Sequence, residues 1–150
     1  LTTTVPAATY TLNIPADQEI PFGATETKIG SVNVTDSAGF ASEKNLIVTL
    51  AWEDFKSEST NTTIPFYLEG RAGTKGSLEI KSGDTIKFEG TSSGTVNKYS
   101  TMELVSYQTG NTYTDDMTSI YFRANSTYWG KALGGDYSAT ITFTAEVVSG

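Results

Sequence analysis

The strongest constraint on this chain is a two-residue alternation near its C-terminus, where Gly134 to Gly150 reads GGDYSATITFTAEVVSG. Tyr137, Ala139, Ile141, Phe143, Ala145 and Val147 fall on one face. Ser138, Thr140, Thr142, Thr144 and Glu146 fall on the other. Successive side chains of a strand point to opposite sides, so one face is predicted to be buried and the other solvated. The preceding Gly-Gly-Asp is turn chemistry that delivers the chain into the strand. The expectation is a β domain that closes on this strand, with its inward face packed against Leu46, Val48 and Leu50.

The rest of the chain repeats the pattern in shorter pieces. Tyr10, Leu12 and Ile14 alternate with Thr9, Thr11 and Asn13 in a first strand ended by Pro15, and a short run covers Glu19 to Phe22. Lys28 to Thr35 reads as one strand with Val32 and Val34 on one face, and Asp36 to Lys44 as a polar loop. Asn45 to Trp52 (NLIVTLAW) is the most apolar segment. Trp52 to Lys56 has room for a single helical turn. Thr63 to Glu69 is predicted as one strand, placed at a sheet edge because Pro65 has no N–H to donate. Ser77 to Lys81 and Thr85 to Glu89 read as a hairpin closed by Ser82-Gly83-Asp84. Tyr99 to Tyr107 and Ser119 to Arg123 are further strands, the polar loop Gln108 to Met117 lies between them, and an aromatic connector, Ala124 to Leu133, precedes the last strand. About nine or ten short strands with turn chemistry between them, and no convincing helix, predict an all-β fold. The specific expectation is a single domain over residues 1–150, an antiparallel β-sandwich of Greek-key type, immunoglobulin-like or jelly-roll-like.

Composition narrows the chemistry. Serine and threonine make up about a quarter of the residues, which suits the wet faces of sheets. The net charge of −7 and the scattering of Lys and Arg argue against nucleic acid as a partner. There is no cysteine, so disulfides and thiolate sites are excluded. There is no histidine either, which removes the commonest general base and the commonest catalytic metal ligand. No apolar run reaches the roughly 20 residues of a membrane span. The opening LTTTVPAATYTLNIP has neither the basic nor the long apolar region of a signal peptide. A cysteine-free extracellular domain fits a Gram-positive bacterium better than a eukaryotic secretory pathway.

Several constellations bear on chemistry. Glu53-Asp54 and Asp115-Asp116 are adjacent acids, which point apart on a strand and so form no ready dyad for glycosidase chemistry. The loop acids Asp36, Asp84, Asp115, Asp116 and Asp136 contain no EF-hand pattern. Asp115 and Asp116, beside Asn111, are the candidate ligands if calcium is bound; no other cofactor is expected. Gly70, Gly73 and Gly76 surround Lys75 without a following G-K-[ST], so they form a turn. Planar aromatic side chains can stack on sugar rings or anchor a protein. Tyr67, Tyr107, Tyr113, Tyr121, Tyr128 and Trp129 are the available ones, with Tyr113, Tyr128 and Trp129 the candidate ligand-binding residues and Trp52 assigned to the core. Sequons occur at Asn33, Asn61 and Asn125, as expected by chance in a threonine-rich chain. The first strand lacks a lysine and the last an asparagine, so the usual placement of an isopeptide bond is not available.

The opening Val5 to Thr35 (VPAATYTLNIPADQEIPFGATETKIGSVNVT), Asn45 to Trp52 and the closing Gly134 to Val147 resemble adhesin-like, fimbrial-like β-sandwich proteins on the surface of Gram-positive gut bacteria. The shared patterns are Y-T-L-x-I-P, G-x-V-x-V and G-x-Y-x-A-T-I-T-F, at both ends of the chain. The last strand also looks like the final strand of chaperone-assembled pilins, which usually carry a disulfide. The resemblance implies export and display at the cell surface, and transfers no functional residue. The expected function is therefore non-catalytic, in adhesion or as a surface or fimbrial building block. Its partners would be a host or plant glycan, a surface protein, or a second copy of the chain. The alternative is a carbohydrate-binding module, and a third reading is a glycosidase on a jelly roll.

Overall fold

Eight residues in the first half of the chain, β4 (Lys44–Ala51), organise the structure. Leu46, Val48 and Leu50 have no solvent exposure, while Asn45, Ile47 and Thr49 on the opposite face are half-buried. β-Branched and aliphatic residues fit such a pleated surface, covered on one side and partly covered on the other. The computed structural model describes residues 1–41, 44–71, 77–96, 101–103, 112–113 and 119–149.

In chain order the strands before β4 are β1 (Thr9–Asn13), β2 (Glu26–Ser31) and β3 (Asn33–Ala38). After it come β5 (Phe55–Lys56), β6 (Thr63–Ile64), β7 (Tyr67–Arg71), β8 (Ser77–Ile80) and β9 (Thr85–Glu89). The last are β10 (Thr101–Glu103), β11 (Thr112–Tyr113), β12 (Ser119–Arg123), the one-turn helix α1 (Ser126–Trp129) and β13 (Thr142–Ser149). The protein is all-β, with several open antiparallel sheets. One sheet runs β11-β10-β9-β4-β13, another β2-β12-β7-β8, and β1-β3 and β5-β6 form two-stranded pairs. Among the described residues no helix is long and apolar enough to cross a membrane.

The two larger sheets share one apolar core. Across the five-stranded sheet, Val147 lies opposite Leu46 and Leu46 opposite Phe88. Ala145, Val48 and Ile86 form the next row, and Phe143 lies opposite Leu50. The four-stranded sheet answers with Phe122, Leu68 and Ile80 in one row and buried Ile120 in another. Such cross-strand neighbours are the units that stabilise a sheet. The outer face of the second sheet is ionic. Glu69 on β7 is only 9 % exposed, because Arg71 and Arg123 close over it at 2.7 and 3.2 Å. Arg71 also pairs with Glu26 of β2 and lies 3.8 Å above the ring of Tyr121.

The apolar face of the closing strand lies beside Leu46, Val48 and Leu50, as expected, through a ladder with β4, but its regular part begins at Thr142 instead of Tyr137, and among the described residues β13 is an edge. Tyr137 to Ile141 leaves the ladder because Ser138 bonds across to Lys56 in both directions, at 3.0 and 3.1 Å. Five other expectations are corrected. Lys28 to Thr35 is two strands that change sheet at Val32, with a bulge at Ile29-Gly30. Gly30 has φ +139°, and a Cβ there would stand 2.9 Å from the Pro15 ring. Thr63 to Glu69 is broken at Pro65-Phe66, and β7 sits inside its sheet, not at an edge. β8 and β9 are no hairpin, since they belong to different sheets. Asp84, 1 % exposed, holds that crossing: its carboxylate accepts the Lys81 N–H at 2.7 Å and its carbonyl the Leu50 N–H at 3.0 Å. Glu19 to Phe22 forms no strand, and Phe40, in the segment read as a polar loop, has no solvent exposure.

Candidate functional site

A wide concavity lies where the two large sheets part, beside β13. It is a groove of about 990 Å³. Its floor is the end of the core: Ile29 from β2, Leu68 from β7, Phe122 from β12 and Phe143 from β13. Phe55 and Phe66 line it too, with ring centres 5.0 Å apart, and each lies within 5.8 Å of the Phe122 ring. Trp52 stacks behind Phe66 at 6.1 Å and does serve the core, as expected.

Local sequence explains how these rings come together. Pro65 ends β6, so Phe66 leaves the ladder, while Ile64, paired with Phe55, lines the same gap between the sheets. Phe55 stands among charged neighbours on the two-residue β5, which is held by β6 on one side and by Ser138 on the other. One wall of the groove is the segment from Pro15 to Phe22, carrying Asp17, Gln18 and Glu19. The other is Ala132 to Ile141, carrying Asp136. The second wall is pinned by Tyr137, whose hydroxyl donates to the Leu133 carbonyl at 2.7 Å and meets the hydroxyls of Thr60 and Thr62. Those two hydroxyls hold the Tyr137 phenol below its ordinary pKa.

Trp129 closes one end of the groove. Asn125 caps the one-turn helix by accepting the Thr127 N–H at 2.9 Å, which sets the turn that carries Tyr128 and Trp129. The Trp129 indole N–H donates to the Ala24 carbonyl at 2.8 Å, and its ring meets Phe22 edge-on at 5.6 Å. Phe22 itself is 85 % exposed. Tyr128 is exposed, whereas Trp129 is half-buried and packs on the core.

The remaining candidates are distributed as follows. Tyr113 lies on β11 opposite Met102, and its side chain is outside the described residues. Asp115 and Asp116 also fall outside them. Among the described residues no three acidic side chains cluster as a metal site would need. Glu53 and Asp54 line a shallower cleft of about 580 Å³ with Trp52, Lys56, Ser82 and Thr142. Phe22, Phe55 and Phe66, which line the groove, are not among the ligand-binding candidates of the sequence, which points to Phe66 only as an inward strand residue. A lone phenylalanine in a charged run, and one beside a proline, were the only available signals.

Chemically, the groove offers an aromatic, apolar floor between walls that carry Asp17, Gln18, Glu19 and Asp136. Such a surface takes up an extended apolar chain or a flat ring. No family model, curated protein or solved structure matches the chain.

Proposed function

We propose that this chain is a non-catalytic β-sandwich of Greek-key type, displayed outside a bacterial cell, that acts in adhesion or as a surface building block. The observation that carries this reading is the apolar groove beside an edge strand whose outer side is unpaired among the described residues. Exposed strand edges and apolar grooves bind extended polypeptide through main-chain hydrogen bonds and side-chain pockets. Absence of histidine and cysteine from the sequence agrees with a binding role. Beads coated with the protein and presented to epithelial cells and to one another test the reading. Retention on cells or clumping of the beads is expected, and beads that do neither overturn it.

A second reading, carbohydrate binding, is favoured by one observation. Phe22, which lines the groove and meets half-buried Trp129 edge-on, is exposed, and so is the neighbouring Tyr128. Exposed rings stack on sugars. Glycan-array binding that is lost in both Phe22→Ala and Tyr128→Ala would establish it; silence across plant and host glycans removes it.

A further inference from the structure

β13 hydrogen-bonds to β4 along one side only. Along the other it presents a row of backbone N–H and C=O groups with no partner among the described residues. Proteins usually blunt such an edge with lysine, proline, a bulge or a very short strand. Thr142–Ser149 has none of these: it is eight residues long, follows β4 without a register shift, and carries one charge, Glu146.

We propose that β13 pairs antiparallel with β13 of a second copy of this chain, joining two five-stranded sheets across a two-fold axis. This rests on the surface-module reading and names its partner. The geometry selects the register. Opposed residues in an antiparallel pair must point to the same face, so the axis passes through a residue position. Centred on Glu146, the pairing sets two carboxylates directly against each other, which is destabilising. Centred on Thr144, it leaves Val147 and Val148 opposite residues that precede the strand. Centred on Ala145, it pairs everything from Thr142 to Val148. Ala145 then meets its own copy, Phe143 meets Val147, and Glu146 meets Thr144. The half-buried row Phe143, Ala145 and Val147 is thereby covered. The net charge of −7 on each copy opposes association and is screened by salt, so the dimer tightens as ionic strength rises.

Thr144 tests the register because it is exposed and its β4 neighbour is Thr49. Sedimentation equilibrium at 0.15 and 0.5 M salt is expected to give a monomer–dimer equilibrium, tighter at the higher salt. Thr144→Glu, which opposes two carboxylates at two symmetric places, should weaken it at least tenfold. Thr144→Lys should tighten it several-fold. Circular dichroism melts verify that both variants fold. In this cysteine-free chain, oxidised Ala145→Cys should yield a covalent dimer, because the two Cβ atoms are about 5 Å apart. Val147→Cys should not, since its copies are offset by about 13 Å along the strands. A parent that stays monomeric to millimolar concentration, or a dimer indifferent to both Thr144 variants, overturns the proposal. If the chain is monomeric and coated beads still adhere to cells, only the β13 pairing fails. If beads neither adhere nor clump, the surface-module reading fails with it.

Discussion

Gly90 and Glu69 show how single residues decide local geometry here. A Cβ on Gly90 would stand 2.2 Å from the Lys44 carbonyl oxygen and 2.5 Å from that of Phe40. Both obstacles are backbone, so neither can swing aside. Gly90→Ala is expected to cost more than about 2 kcal/mol, read from the urea midpoint at constant m-value. An unchanged midpoint would mean that the backbone around Phe40 yields. Glu69 makes the opposite case, a nearly buried charge that is tolerated because two guanidinium groups cover it. The Arg123 Nε is itself buried without a partner among the described residues, so the cluster has no acceptor to spare there. Glu69→Ala should lose about 1–3 kcal/mol, since it strands buried donors. Glu26→Ala, at a carboxylate 47 % exposed, should lose less than about 1 kcal/mol. Equal losses in thermal melts would show that Glu26 bears as much of the ionic face as Glu69.

Among the elements, β4 and β13 form the longest pair, and their burial differs. Leu50 is fully covered, but its partner Phe143 is half-open to the groove. Leu50→Ala is expected to cost about 2–5 kcal/mol, and Phe143→Ala distinctly less than a buried phenylalanine's ~3–5 kcal/mol. If Phe143→Ala proved the costlier, the groove would have to be closed in solution. This pair was legible in the sequence, because alternation states which side of a strand is apolar. Alternation does not state which sheet a strand joins. Ser82-Gly83-Asp84 has the turn chemistry of a hairpin, yet the same residues cross between sheets, because Asp84 can satisfy backbone N–H groups inside the protein. Val32 lies in an uninterrupted run and still marks a change of sheet, since a bulge at glycine bends the strand without altering the apolar pattern. The groove was illegible for a related reason. Its rings come from segments too short to show a period, and only Pro65, by interrupting a strand, frees Phe66 to face them.

For the whole molecule, the shared core ties the two large sheets together, so they should unfold as one. Trp52 and Trp129 lie in different parts of that core. The single-tryptophan variants Trp129→Phe and Trp52→Phe should report coincident urea transitions by fluorescence. Separate midpoints would divide the protein into independent units. The position of β13 also has a kinetic consequence. β4 emerges early in synthesis, whereas the strand that pairs with it along its full length arrives after most of the chain. Until then one side of the most apolar strand stays open, and long-range antiparallel pairing is slow. A nascent chain halted before Thr142 would expose Leu46 to Leu50 as a sticky edge and depend on chaperones to stay in solution. Vectorial synthesis therefore leaves β4 unprotected until β13 has been made.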